Sequence, residues 1–193
     1  MIVTPRLRIT PFAEQYLTLR YVGWLNDPEI VKFSDQRFIE HTLASCREYW
    51  QSFTNSPNFF WAIICRDSEL GHIGNINAYV DIQHSVADVG ILVGERRAWA
   101  KGYGLEAWLA VCEYLFRVGN VRKITAGTLS VNVGMLKIME RAGMIDDGRR
   151  RRQHLWNGEP VDVIYAALFR DDWIDRYPQG PFADLDSAGR TQF

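Results

Sequence analysis

The chain has 193 residues, enough for one domain with a sizeable core. Hydrophobic residues make up 47% of it and charged residues 23%, the balance of a water-soluble globular protein. A formal net charge of -1 gives no ground for nonspecific nucleic-acid binding, and the longest apolar runs, "FFWAII" and "VIYAALF", are far too short to span a bilayer.

In chain order, "RLRIT" at 6–10 alternates at the strand period and is expected to stop at Pro11. The arginines of "MIVTPRLRIT" stand where a secretion signal needs its apolar segment, so a cytoplasmic protein is expected. A helical region follows through "EQYLTLRYVGWL" and ends at "NDP", 26–28. "TLASCREYWQSF" sets Leu43, Cys46, Tyr49, Trp50 and Phe53 at helical spacing, with Thr42 as N-cap. "FFWAIICR", 59–66, reads as a buried strand that "DSELG" turns back. "HIGNINAYV" and "VADVGILV" then read as an antiparallel meander, with His84 in its turn.

The loop "GERRAWAKGYG" leads into "LEAWLAVCEYLFRVG", a helix with Leu105, Leu109, Cys112 and Phe116 on one face and Gly119 as its stop. "VRKITAGTL" is another strand, and "NVGMLKIMERAGM" a short helix from Asn132 to Gly143. "MIDDGRRRRQHLW" and "EPVDVIYAALF" form a hairpin around Asn157-Gly158, a type I′ turn signal. After "DDW" a polar tail, 175–193, closes the chain. With no repeat and no linker, one domain over 1–193 is expected. Its class is α+β, helices flanking a mostly antiparallel sheet, with room for one parallel pair across the helix around Val111. Cys46, Cys65 and Cys112 are isolated in sequence, which suggests neither a metal site nor a disulfide framework.

"WAKGYGLEAW", 99–108, carries the chemistry. A glycine turn between a strand and a helix start is a recurrent anion site, because the first helical N–H groups are free and the helix dipole favours negative charge there. Gly102 and Gly104 leave the backbone bare, and Lys101 adds a positive charge. A P-loop fails, since Gly102 follows Lys101 where Ser or Thr is needed. "GYGLEA" fits the dinucleotide fingerprint, but "VRKITAGTL" lacks the carboxylate that would hold the ribose, and an antiparallel meander is wrong for that fold.

The turn resembles the pyrophosphate loop of the GNAT superfamily of N-acetyltransferases, in the branch around ribosomal-protein N-terminal and amino-sugar enzymes. Two further segments carry the resemblance: "NVGMLKIMERAGM" and the closing hairpin through "FRDDW". Together they cover nearly the whole chain. The resemblance implies a single GNAT-like domain using acetyl-CoA as co-substrate. Its pyrophosphate would meet the turn at Trp99, Lys101, Gly102, Tyr103, Gly104 and Leu105; the backbone of Leu92 and Val93 would meet acetyl and pantetheine. Trp99 stands where the family usually has Arg or Gln, so Lys101 and the backbone must supply more of the contact. Asn132 matches a CoA-contacting Asn and can cap its helix as well. Met139 stands where many relatives have a Tyr that acts as general acid; a thioether has no proton to donate.

Acetyl transfer to an amine needs a base near the acceptor nitrogen and donors at the thioester oxygen. Asp88, where relatives often have the Glu of "EIGY", is the first candidate base. His72, with an ordinary pKa of about 6.5, is the second, though on an apolar strand it also reads as structural. His84 and His154 rank below both. The arginines at 149–152 are expected to alternate faces, two meeting solvent and two open to a phosphate. The acceptor is then a small amine, such as a nucleotide-linked amino sugar, or a protein N-terminus. A module that binds acyl-CoA without turnover is the reading from another class. No nucleic-acid or membrane partner is expected, and a homodimer is left open.

Overall fold

The computed structural model describes residues 1–66 and 69–183; Asp67 and Ser68 of the expected "DSELG" turn, and the tail from 184 on, lie outside the described residues. Strands β1 (Ile2–Val3) and β2 (Leu7–Pro11) open the chain. Helices α1 (Leu19–Leu25), α2 (Pro28–Val31) and α3 (Leu43–Gln51) follow, then β3 (Phe59–Cys65), β4 (His72–Asp81) and β5 (Val86–Val93). Next come α4 (Tyr103–Arg117), β6 (Lys123–Leu129), α5 (Val133–Ala142), β7 (Ile145–Trp156), β8 (Glu159–Phe169) and α6 (Arg170–Arg176). The strands form one eight-stranded sheet in the order β1-β2-β3-β4-β5-β6-β8-β7. Every pairing is antiparallel except β5 with β6, the parallel pair allowed by the sequence.

Alternation along the strands sends side chains to two cores. One face packs against α4 and α5 through Ile63, Ile76, Val89, Ile124, Trp108 and Phe116; the other packs under α1 and α3 through Phe60, Ala62, Ile64, Trp24 and Cys46. No helix among the described residues is long and apolar enough to cross a membrane.

Local chemistry explains most boundaries. Thr42 and Ser45 cap α3 reciprocally. Asn132 accepts from the Met135 N–H at 3.2 Å to start α5, and Gly143 at φ 79° ends it. Asn157 and Gly158 have φ of 51° and 82°, the two positive values a type I′ turn requires.

Four expectations need correction, and the expected stop at "NDP" gains a second role. Pro11 is the last residue of β2, opposite Trp61; β1 reaches only to Ile9, so the missing N–H of Pro11 breaks no bond to it. The first helical region is broken: a 3-10 turn at Glu14–Tyr16 precedes α1, which Thr18 caps afresh by accepting from Tyr21 N–H. "NDP" ends α1 and also starts α2, with Asp27 as cap and Pro28 in the first turn. Gly119 is not the left-handed residue after α4; Asn120, at φ 53°, makes the turn, and the N–H groups of Val118 and Gly119 both bond to the Tyr114 carbonyl. The segment through "DDW" is a helix, α6, because Trp173 is buried against Phe116 and its indole N–H donates to Glu113 at 2.7 Å.

Candidate active site

The parallel pair defines the site. Partners run Val86↔Lys123, Ala87↔Ile124 and Asp88↔Thr125, and there the pairing ends, although β5 continues to Val93 and β6 to Leu129. Beyond Asp88 the two strands part. Every second residue of β5 therefore turns its N–H and C=O into the gap with no strand to receive them. Leu92 and Val93 lie at the far end of that opened edge.

At that end the chain turns into α4. Gly102 caps the helix with φ 80°, a conformation costly for any residue with a Cβ. The first intrahelical bond runs from Glu106 N–H to Gly102 carbonyl, so the N–H groups of Tyr103, Gly104 and Leu105 precede the helical ladder. A Cβ on Gly104 would stand 3.2 Å from Ile138 Cδ1 and 3.6 Å from Val93 Cγ2; the bare turn is wedged between α5 and the end of β5. Lys101 is exposed, and its carbonyl accepts from Arg6 Nη1 at 2.8 Å. The Trp99 indole donates to the Val93 carbonyl at 2.7 Å, tying turn to strand end. Free N–H groups, an αL glycine and an unpaired strand edge in line fit an extended ligand with a pyrophosphate at one end.

Sequence reading missed the brace beneath this turn. Glu106 has no exposed side-chain surface and lies in the first turn of α4. It accepts from Thr4 Oγ1 at 2.6 Å, from Arg6 N at 2.9 Å and from Arg6 Nε at 2.6 Å. The same guanidinium reaches the Lys101 carbonyl and covers the Tyr103 ring at 4.6 Å. The one available signal was a carboxylate inside the otherwise apolar "LEAWLAVC".

At the other end stands Asp88. Its carboxyl is open to solvent at one side yet crowded by protein, and this desolvation pushes its pKa above the ordinary value; a hydrogen bond from Thr125 Oγ1 at 2.8 Å acts the other way. Tyr79 lies opposite it in register, and the Tyr79 hydroxyl meets that of Tyr49 at 3.0 Å. On the β6 side Gly127 leaves room for the Tyr165 ring, whose Cε1 lies 2.9 Å from where a Cβ would be. These tyrosines gave no sequence signal, since α3 and β8 are far apart in the chain.

His72 is not brought to Asp88. It stands seven residues before Tyr79 on β4, about 23 Å away along the strand. Burial among the rings of Phe12, Tyr16 and Trp24 pushes its pKa down, against the pull of Asn75 Oδ1 at 2.9 Å and Gly74 carbonyl at 3.0 Å. Both are acceptors, so Nε2 carries the proton. His84 is in the β4–β5 turn, held by Asp81. His154 reaches toward Asp35 at 3.8 Å; beside it Phe33 stacks on Trp156 and Arg37 donates to the Leu155 carbonyl at 3.2 Å. The segment after α2 thus meets the hairpin tip. Asn132 caps α5 and donates to Thr128 Oγ1 at 3.0 Å, and Met139 is buried in the core. A recess of about 500 Å³ under α2 and 36–40 contains none of the expected site residues.

The four arginines do not simply alternate, which corrects the expectation. Arg149 and Arg150 pair in turn with Ile164 and Val163, but β7 bulges between Arg150 and His154, and Arg152 takes φ 51°. The cause is Asp162, which accepts from Arg149 Nε and from the Arg152 N–H, each at 2.6 Å.

Comparison with known proteins agrees with this architecture. Residues 6–145 match the acetyltransferase (GNAT) domain family, and the chain belongs to it. It is 24% identical over 172 residues to the uncharacterized N-acetyltransferase YnaD of Bacillus subtilis (strain 168), covering 89% of this chain and 98% of that one. Spermidine N-acetyltransferase from Vibrio cholerae, solved with CoA and spermine, superposes with a TM-score of 0.74 at 16% identity, covering 86% and 96% of the two chains. The Salmonella typhimurium enzyme that modifies the N-terminal serine of ribosomal protein L7/L12 gives 0.72 at 15%, also covering 86% and 96%. The chain is accordingly an N-acetyltransferase of a family whose co-substrate is acetyl-CoA.

Proposed function

We propose that this chain transfers the acetyl group of acetyl-CoA to a primary amine, with Asp88 as the base. The observation that carries the reading is the end of the β5–β6 pairing at Asp88↔Thr125, which sets a carboxylate at the apex of the gap whose other end is the glycine turn. Along the gap the N–H groups of Val89, Ile91 and Val93 supply donors for the thioester oxygen and pantetheine, while the backbone of Leu92 is turned to Asn75 of β4; Lys101 and the N–H groups of Tyr103, Gly104 and Leu105 face the pyrophosphate. Gly102 allows the turn, Trp99 holds it to Val93, and Asn132 fixes the start of α5.

In the reaction the amine nitrogen attacks the thioester carbonyl, the C–S bond breaks, and the products are an amide and the CoA thiol. Asp88 receives the ammonium proton, directly or through one water. The leaving thiolate takes its proton from a group other than buried Met139. Freeing a lysine-like amine at neutral pH costs about 5 kcal/mol, whereas an α-amine of pKa near 8 costs about 1 kcal/mol. A carboxylate base suits the second kind, in a protein N-terminus or a small molecule such as a nucleotide-linked amino sugar. His72, far from the gap and enclosed by rings, keeps the structural reading.

The meeting of Phe33 with Trp156 and of Arg37 with Leu155 narrows the approach to the acceptor face, which favours a small amine over a folded partner's terminus. Three buried free cysteines suit a reducing, cytoplasmic setting. The test is thiol release from acetyl-CoA against amino sugars, polyamines and N-terminal peptides. Binding of acetyl-CoA without release to any acceptor would turn the reading into that of a non-catalytic acyl-CoA module.

A further inference from the structure

We infer that the acceptor carries an anionic group, phosphate or carboxylate, and that Arg150 selects it. The inference rests on the acetyl-transfer reading and deepens it.

Register places Arg150 on the acceptor face. Arg150 pairs with Val163 and Gly148 with Tyr165; Tyr165 pairs with Gly127, and Thr125, two residues back, pairs with Asp88. Residues two apart on a strand share a face, so the side chains of Arg150, Tyr165, Thr125 and Asp88 rise from one side of the sheet. The contacts agree: the Arg150 guanidinium lies 5.1 Å from the Tyr165 ring centroid, and Thr125 donates to Asp88. The Tyr165 ring in turn crosses Gly127 beside the open gap, a course that any side chain at 127 would block. Arg149 points the other way and is neutralised by Asp162, its Nη2 at 2.5 Å. Arg151 and Arg152 lie in the bulge opposite Asp162.

Arg150 is therefore the arginine of this run that is both in regular register on the acceptor face and unpaired with any carboxylate among the described residues. The ring under it restricts its rotamers and shields one face from water, which strengthens its pull on an anion. Asp88 and Tyr165 are separated by two inter-strand steps and two residues along the strand, about 12 Å. An acceptor spanning this face would set its amine at Asp88 and its anion near Arg150. A lone cation there would otherwise repel a protonated amine approaching Asp88.

Matched acceptors read this directly: glucosamine 6-phosphate against glucosamine, and an Ala-Asp-Asp peptide against Ala-Asn-Asn, each at saturating acetyl-CoA. The phosphate pair tests a small-molecule source of the anion and the peptide pair an acidic N-terminus. In at least one pair the anionic member is expected to lead in kcat/KM by about tenfold, mainly through KM. Arg150→Gln should collapse that ratio toward one, Arg150→Lys should restore part of it, and Arg149→Gln, on the opposite face, should leave it alone. Equal use of both members in each pair by the wild-type protein overturns the inference, as does a ratio that survives Arg150→Gln. Thiol release from none of the four but from a polyamine overturns this inference alone; release to no acceptor of the whole panel overturns the transfer reading, and this inference with it.

Discussion

The two ends of β5 solve different problems. At the Val93 end the chain is tied down by backbone and buried charge: Trp99 holds Val93, Arg6 holds Lys101, and Glu106 holds Arg6 and Thr4. At the Asp88 end the proposed base is a side chain with water at hand, beside the exposed Tyr79 and Tyr49 hydroxyls. A co-substrate common to a family can be met by main-chain groups, which a sequence cannot easily change. An acceptor that differs between members has to be met by side chains, which it can.

The largest effect is expected at the open end. Asp88→Asn keeps the shape and the Thr125 contact but removes the base, so kcat should fall by about 10²- to 10⁴-fold while calorimetry finds acetyl-CoA binding unchanged. Because desolvation raises the Asp88 pKa, the wild-type rate should decline as pH falls through that raised value, earlier than for an ordinary carboxylate, and the Asn variant should lose this limb. A loss below tenfold at saturating acceptor would leave the comparison without its catalytic half.

The braced end should break through stability. Arg6→Ala leaves the Glu106 carboxylate buried with its charge uncompensated, an expected cost of about 3–5 kcal/mol in denaturant unfolding. Gly102→Val is milder for the fold and harsher for binding. It forces a β-branched residue into φ 80° at about 1–2 kcal/mol and puts a side chain where the phosphates approach. Acetyl-CoA affinity should drop at least about tenfold; unchanged affinity in a folded variant would remove the turn from the site.

Legibility in the sequence followed the same division. The glycine turn, the Asn132 and Gly143 caps and the Asn157-Gly158 turn could be read because each is local: the residue type states the backbone need within three or four positions. Glu106 with Arg6 was out of reach because the two partners lie 100 residues apart. The division of Arg149 from Arg150 was legible from strand period alone, but the bulge past Arg150 was not, since it depends on Asp162 of the opposite strand. Helix α6 was missed because a single buried tryptophan, not a periodic stripe, holds it.

The smallest effect sharpens the link between the two ends. Glu95 sits just past β5, where it caps the turn at 96–98 and pairs with Arg20 of α1, the acceptor-side helix, and with Arg97. Burial alone would raise its pKa, but the Arg97 N–H and the two guanidinium groups outweigh that and hold it at about 2, against an ordinary 4.5. A depressed carboxylate contributes stability in full above its unfolded value and loses it as pH falls through the folded one. This contribution should therefore fade between about pH 4.5 and 2. The shift corresponds to about 3 kcal/mol, which the solvent around Arg20 and Arg97 trims to about 1–2 kcal/mol. Glu95→Gln should lower stability by that amount at pH 7 and by almost nothing at pH 2, so urea midpoints of the two proteins should converge on acidification. Parallel curves would mean that the acceptor-side layer rests on the sheet through packing alone, as Trp24 does on Gly94, and not through this charge.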